Sequence, residues 1–242
     1  MIIGRFAPSP TGPLHLGSLV AALGSYILAK RAGGRWLVRM EDLDTPRVVA
    51  GAAEGILDTL RCYRLHWDGE VVHQSRRIAL YEQALQALKA KRLVYDCGCS
   101  REELCRCRHG LPPGRVARAV RFRMPNGVIG FDDLLKGHIE MGSGDFIVKR
   151  ADGIFAYQLA VVVDDAEQGV TQVVRGEDLL DSTPRQIALQ RALGLRTPEY
   201  AHVPLARNPD GTKISKRDGA VPLDPGRVDE TLEKAYSILG FR

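Results

Sequence analysis

The chain has 242 residues, 45% of them hydrophobic, and a formal net charge of +5. That length suits one large domain, or a core domain carrying an insertion. No apolar run approaches the roughly 20 residues that span a bilayer, and the N-terminus lacks the regions of a secretory signal. A soluble, cytoplasmic and monomeric protein is expected, with a positive balance that favours an anionic partner such as RNA.

Met1 to Ala7 reads as a short buried strand, with Ile2, Ile3 and Phe6 as its apolar content. Pro8, Pro10, Gly12 and Pro13 then break regular structure until His15. From Gly17 to Lys30 the residues Leu19, Val20, Leu23, Ile27 and Leu28 recur at helical spacing. A strand, a tight turn and a helix N-terminus in that order present backbone N–H groups and a positive dipole end, which suit a phosphate.

Arg35 to Met40 alternates as a strand and sets Glu41 at its carboxyl end, where open α/β sheets bind ligands. Thr45-Pro46 is a helix start by its proline, leading to the stripe Ala52, Ile56, Leu57 and Leu60, with Cys62 in the core. A second helix runs from Ser75, a candidate N-cap, through Ile78, Tyr81, Leu85 and Leu88. Leu93 to Cys97 is a strand.

After it the composition changes. Four of the five cysteines, Cys97, Cys99, Cys105 and Cys107, fall within eleven positions, a crowding that points to metal rather than to disulfides. Four thiolates suffice for a closed tetrahedral zinc site. A three-cysteine site completed by His109, or reduced thiols without metal, are the alternatives. Val120, Phe122 and Met124 alternate with Arg121 and Arg123, and β-prone segments continue to Arg150 through an Asp152-Gly153 turn.

Phe155 to Gln168 resumes a helical pattern, Thr171 to Val174 is a strand followed by Arg175, and Ser182-Thr183-Pro184 opens another helix. A strand at Ala201 to Leu205 precedes the turn Asn208–Gly211 and a basic loop, Lys213-Ile214-Ser215-Lys216-Arg217. A last helix covers about 228–239. The expected units are 1–96 and 151–205 as two halves of a Rossmann-like parallel α/β nucleotide-binding core. An inserted mixed α/β subdomain occupies 97–150, and 206–242 carries the lysine loop and final helix.

His15-Leu16-Gly17-Ser18 together with Lys213-Ile214-Ser215-Lys216 resembles the two signatures of class I aminoacyl-tRNA synthetases. The blocks from Arg39 to Arg47, His66 to Gly69, Gln74 to Arg76, Val161 to Asp165, Gly169 to Thr171 and Val174 to Asp178 are similar to the glutamyl branch, in order and spacing. The resemblance implies ATP with Mg²⁺ as nucleotide substrate, with His15 and Gly17 against ATP and Lys213 and Lys216 at its phosphates. It implies L-glutamate as the amino acid, its side-chain carboxylate between Arg5 and Arg175 and its ammonium at Glu41. Tyr157 then stands at the pocket wall, and the segment Phe6-Ala7-Pro8-Ser9 lines the near side.

Relatives carry a longer stretch before the last zinc ligand, and some use a tyrosine, so the four-cysteine set departs from the family pattern. The chain stops 25 residues after Arg217, whereas full-length glutamyl enzymes continue into a helical anticodon-binding region. In that shorter form the chain resembles the branch that transfers glutamate to the queuosine base in the anticodon stem-loop of tRNA(Asp). Val161, where ordinary glutamyl enzymes have asparagine, agrees with it. Arg121, Arg123, Lys149 and Arg150 are candidates for phosphate contact with the RNA. A shortened enzyme charging tRNA(Glu), or a non-catalytic tRNA-binding paralogue, are the competing readings.

Overall fold

Strand β1 (Ile3–Phe6) and strand β2 (Arg35–Met40) pair in parallel through helix α1 (Leu16–Arg31), with Arg5 opposite Leu37 and Phe6 opposite Val38. The computed structural model describes residues 1–99, 107–207, 212 and 221–240. Helix α2 (Ala52–Cys62) follows β2, and β3 (Val72–His73) extends the parallel order beyond it. Helix α3 (Ile78–Ala90) leads to β4 (Val94–Cys97), which with β5 (Ala119–Phe122) begins a second, antiparallel sheet. The hairpin β6 (Val128–Asp133) and β7 (Gly137–Gly142) precedes β8 (Phe146–Lys149), the third strand of that sheet.

Helix α4 (Tyr157–Glu167), strand β9 (Gln172–Gly176), helix α5 (Thr183–Leu193) and strand β10 (Glu199–Val203) return the chain to the main sheet. Helix α6 (Val228–Leu239) packs on α1. β9 pairs β10 in parallel and lies beside β1, where the Thr171 amide donates to the Ile3 carbonyl at 2.9 Å. The chain thus builds outward from β1 to β2 and β3, then restarts on the other side with β9 and β10. That reversal is a topological switch point, the place where open α/β sheets bind ligands in a crevice outside the strands' carboxyl ends.

Both faces of β1 and β2 are covered, so these strands are nearly continuous in buried residues, as parallel strands are. Arg39 in β2, with no exposure, and Arg5 in β1, 3% exposed, are the exceptions in kind: guanidiniums inside buried strands. Helix α1 approaches the sheet closely at Gly24, where a Cβ would stand 3.1 Å from both Val203 and Leu239 side chains. Hairpin β6–β7 joins β10 through the pair Tyr200–Asp133, so residues 97–150 supply strands to both sheets.

Two helix starts differ from expectation. Thr45–Arg47 forms only a 3₁₀ turn, because the Asp44 carboxylate is held by Arg47 and Arg150 instead of capping amides; α2 begins after Gly51, at φ 74°. Ser75 donates both its amide and its hydroxyl to Asp42, so α3 starts at Ile78 without a serine cap. Cys62 ends α2 exposed to solvent, not in the core.

Candidate active site

The crevice is built from the residues that follow β1 and β2 and from the end of β9. The Glu41 amide donates to the Pro8 carbonyl at 2.9 Å, which holds the Phe6-Ala7-Pro8-Ser9 turn beside Glu41. His15 is the N-cap of α1: its Nδ1 accepts the Ser18 amide at 3.3 Å. With Nδ1 an acceptor, the neutral ring carries its hydrogen on Nε2. Gly17 stands in the first turn of α1, and the amides of that turn carry the positive end of the helix dipole. The Leu223 amide bonds the Leu14 carbonyl at 2.9 Å, so the chain after the basic loop returns to the residue before His15. Lys213 and Lys216 lie outside the described residues.

Below the crevice floor is a buried lattice of charge. Arg5 Nε meets Asp165 Oδ1 at 3.0 Å, and Arg39 Nη1 meets the same oxygen at 2.8 Å. Arg39 also reaches Glu41 Oε1 at 3.5 Å and Asp164 Oδ2 at 3.8 Å. Asp164 accepts from Arg77, Gln74 and Tyr81 at 2.6, 2.7 and 2.8 Å. Three guanidiniums therefore stand among three carboxylates, and the lattice is close to neutral, as buried charge must be.

The titration of the acids follows their surroundings. Burial opposes ionisation of Asp165, but Arg5 and Arg39 outweigh it and hold the carboxyl below its usual range. Glu41 goes the other way: burial pushes it up to about 7 against the pull of Arg39 and Arg5.

Arg175 stands apart from this lattice. It is 4% exposed, and each of its partners is neutral. Nε donates to His202 Nε2 at 3.1 Å, Nη1 to Gln186 Oε1 at 2.7 Å and to the Tyr157 hydroxyl at 3.4 Å, and Nη2 to Thr183 Oγ1 at 2.8 Å. No carboxylate among the described residues pairs with it. The guanidinium carbon lies 5.4 Å from the Tyr200 ring centre. Burial pushes the Tyr200 phenol up to about 12, and Arg175 and Arg5 both pull it back. The two arginines that the sequence singles out thus act on one tyrosine, from β9 and from β1.

Cys97, Cys99 and Cys107 gather their sulfurs within 4.8 Å of one another, and Cys99 and Cys107 are 3.5 Å apart. A tetrahedral zinc with Zn–S bonds of about 2.3 Å sets its sulfurs about 3.8 Å apart, so this donor set fits the metal. Cys105 lies outside the described residues. The four basic residues offered as phosphate contacts are engaged internally: Lys149 with Glu82, Arg150 with Asp44, Arg121 with the Asp145 carbonyl and Arg123 with the Arg108 carbonyl.

The family model described as the catalytic domain of class I tRNA synthetases (E and Q) matches residues 1–118 and 114–233. A "Glutamyl-Q tRNA(Asp) synthetase" of Geobacter sulfurreducens is 58% identical over 259 aligned positions, covering 98% of this chain and 82% of that protein. The chain belongs to the glutamyl-Q tRNA(Asp) synthetase family. A second member, from Dechloromonas aromatica, is 54% identical with 98% and 85% coverage. The solved glutamate-tRNA synthetase of Elizabethkingia anophelis superposes with a TM-score of 0.81 at 32% identity, covering 90% of this chain and 53% of that one. The chain spans about half the length of that structure.

For a glutamyl-Q synthetase, several residues at the site escaped sequence reasoning. Arg39, Gln74, Asp164 and Asp165 sit inside motif blocks, yet their mutual pairing carries no local signal. Two consecutive acids at the end of an apolar helix were the one available hint, since burying them demands cations. His202, Asp133, Gln186 and Thr183 around Arg175 come from three separate elements and had none. Among the described residues, no helix is long and apolar enough to cross a membrane.

Proposed function

We propose that the chain activates L-glutamate with ATP and passes the glutamyl group to the queuosine base of tRNA(Asp), the reaction for which its relatives are named. The observation that carries the amino-acid part is Arg175, a buried guanidinium whose partners are all neutral. Its charge calls for an anion, and five N–H groups against four hydrogen bonds leave a donor for a carboxylate. Arg5, tied to Asp165 by Nε at 3.0 Å and by Nη2 at 3.4 Å, offers its Nη1 from the other strand. A lysine or glutamine side chain between them would leave that charge unpaired.

In this reading the glutamate α-carboxylate attacks the α-phosphorus of ATP. The bond to the bridging oxygen breaks, pyrophosphate leaves and glutamyl-adenylate remains. A hydroxyl of the queuosine cyclopentenediol then attacks the activated carbonyl, forming an ester and releasing AMP. No protein nucleophile takes part; the work is positioning and stabilisation of phosphate charge. His15 Nε2–H and the first turn of α1, including Gly17, face the triphosphate, with Lys213 and Lys216 as countercharges to pyrophosphate. Mg²⁺ travels with ATP and adds charge to the same end. Ser9 and the Ala7 backbone, held by Phe6 and Pro8, border the amino acid, and Tyr157 closes its wall. The anticodon stem-loop presents the modified base above the crevice.

The acceptor is tested by charging tRNA(Asp), with and without queuosine, and tRNA(Glu) with labelled glutamate. Label on queuosine-containing tRNA(Asp) alone is expected. Label on tRNA(Glu) instead would assign a short glutamyl-tRNA synthetase, the reading that likeness to the solved structure favours.

Glu41 gives the site a pH signature. Only ionised Glu41 attracts the substrate ammonium, and its pKa of about 7 lies above the ordinary carboxylate value. As pH falls below 7, the KM for glutamate is expected to climb by up to about tenfold per unit, while the KM for ATP stays level. The substrate's own groups do not titrate between pH 5.5 and 8, and Glu41→Gln should flatten the profile. A flat profile in the unmodified protein would remove Glu41 from this role.

Cys97, Cys99 and Cys107 are proposed to hold one structural zinc, with Cys105 or His109 as the fourth donor. Zinc there would tie β4 to the segment beyond it without touching the reaction. Elemental analysis is expected to find about one zinc per chain, and chelation to lower the melting temperature. A fully folded, metal-free preparation would end the assignment.

A further inference from the structure

The partners of Arg175 form a chain that runs out of the pocket into hairpin β6–β7. His202, in β10, has no exposure and Asp133, at the end of β6, is 4% exposed. His202 Nδ1 and Asp133 Oδ2 are 2.6 Å apart, so Nδ1 carries the hydrogen and donates it to the carboxylate. Nε2 is left with its lone pair, which faces the Arg175 Nε–H at 3.1 Å and the Thr183 hydroxyl at 3.2 Å. Asp133 Oδ1 is committed as well: it accepts the amides of Leu135, Lys136 and His202 at 3.0, 3.1 and 3.3 Å. Burial and the neighbouring Arg175 charge hold the imidazole below its ordinary pKa against the pull of Asp133, which keeps Nε2 an acceptor.

The geometry points to Asp133 and His202 as positioning residues for amino-acid selection. The carboxylate at the hairpin tip fixes the imidazole tautomer, and the imidazole fixes Arg175 so that the guanidinium stays beside Tyr157 with its second Nη2 hydrogen left for the substrate. The inference rests on Arg175 meeting the glutamate carboxylate, and it adds that a hairpin outside the nucleotide-binding strands sets that contact. Among the described residues, Asp133 also supplies the negative charge in line with Arg175, one imidazole away. The lattice around Arg5 has no such relay; there the carboxylate of Asp165 touches the guanidinium directly.

Asp133→Asn is nearly isosteric and can still accept the turn amides, but its amide would donate to Nδ1 and turn the Nε2–H toward Arg175. In glutamate-dependent pyrophosphate exchange with unfractionated tRNA present, this variant should raise the glutamate KM by about ten- to a hundredfold and leave the ATP KM unchanged. His202→Gln keeps an acceptor for Arg175 Nε and should recover part of the loss. His202→Asn keeps only the donor to Asp133 and should not. Nitrogen-detected NMR of the unmodified protein gives a readout independent of variant folding: a neutral ring with hydrogen on Nδ1 is expected. A ring protonated on Nε2, or glutamate KM values within twofold of the parent in Asp133→Asn and His202→Asn, would overturn the relay. Arg175→Gln separates the two ideas. If it raises the glutamate KM while the relay variants do not, the relay alone falls; if it does not, the glutamate site itself is misplaced and the relay falls with it.

Discussion

Replacing Arg39 with methionine is expected to destabilise the protein by about 3–5 kcal/mol, the cost of breaking a buried ion pair from one side. The side chain has no exposure and serves Asp165, Glu41 and Asp164 together. Burial alone would lower its pKa, but Asp165, Glu41 and Asp164 reverse that and hold it protonated. Methionine fills the volume and removes the charge. Arg5 and Arg77 then remain to balance three acids, and Glu41, which leans on Arg39 before Arg5, loses its main partner. The sign with pH follows from Asp165, whose pKa is depressed in the folded protein. Its stabilisation is present above the ordinary carboxylate range and is lost as pH falls, so the variant should unfold at a higher pH than the parent on acidification. Urea unfolding at neutral pH checks the magnitude. A loss under about 1 kcal/mol would mean that the lattice is solvated and behaves as surface pairs do.

Arg175→Leu is expected to behave in the opposite way, with a near-normal fold and a crippled amino-acid site. Because no carboxylate touches Arg175 directly, its removal breaks no ion pair in contact; Asp133, one imidazole away, keeps three backbone amides and the His202 Nδ1–H. It unpairs His202, Gln186 and Thr183, each of which keeps another hydrogen bond or can turn. A lost carboxylate partner in a desolvated site costs about 2–5 kcal/mol, roughly 30-fold to several-thousand-fold in glutamate KM. ATP should bind as before, since His15 and the α1 N-terminus are built from another part of the crevice. Steady-state pyrophosphate exchange over a range of glutamate concentrations reads this directly. A glutamate KM within threefold of the parent would remove Arg175 from the substrate. The contrast matters because the two arginines look alike in sequence: each is near the end of an apolar parallel strand. One holds the protein together and the other, in this reading, reads the substrate.

The parallel strands and their helices were legible because burial on both faces makes β1, β2, β9 and β10 short apolar runs, each next to a helical pattern. The strand at Arg35–Met40 and the helix at Val228–Leu239 fall where the periodicity puts them. The starts of α2 and α3 were misplaced for a tertiary reason. Asp44 and Ser75 have the chemistry of helix caps, but distant partners, Arg150 and Asp42, claim their polar atoms first. Cys62 was misjudged because one residue of helical phase at the end of α2 decides between core and solvent.

By itself, then, the sequence determined the order of elements, the family motifs and the residue types at the crevice, since these depend on local periodicity and on short contiguous blocks. Only the tertiary structure decided which arginine is satisfied and which is not. That depends on acids and amides brought in from strands and helices up to 160 positions away, as with Arg5 and Asp165. A guanidinium's role is set by the charge of its neighbours in space, and no stretch of chain around Arg5, Arg39 or Arg175 specifies them.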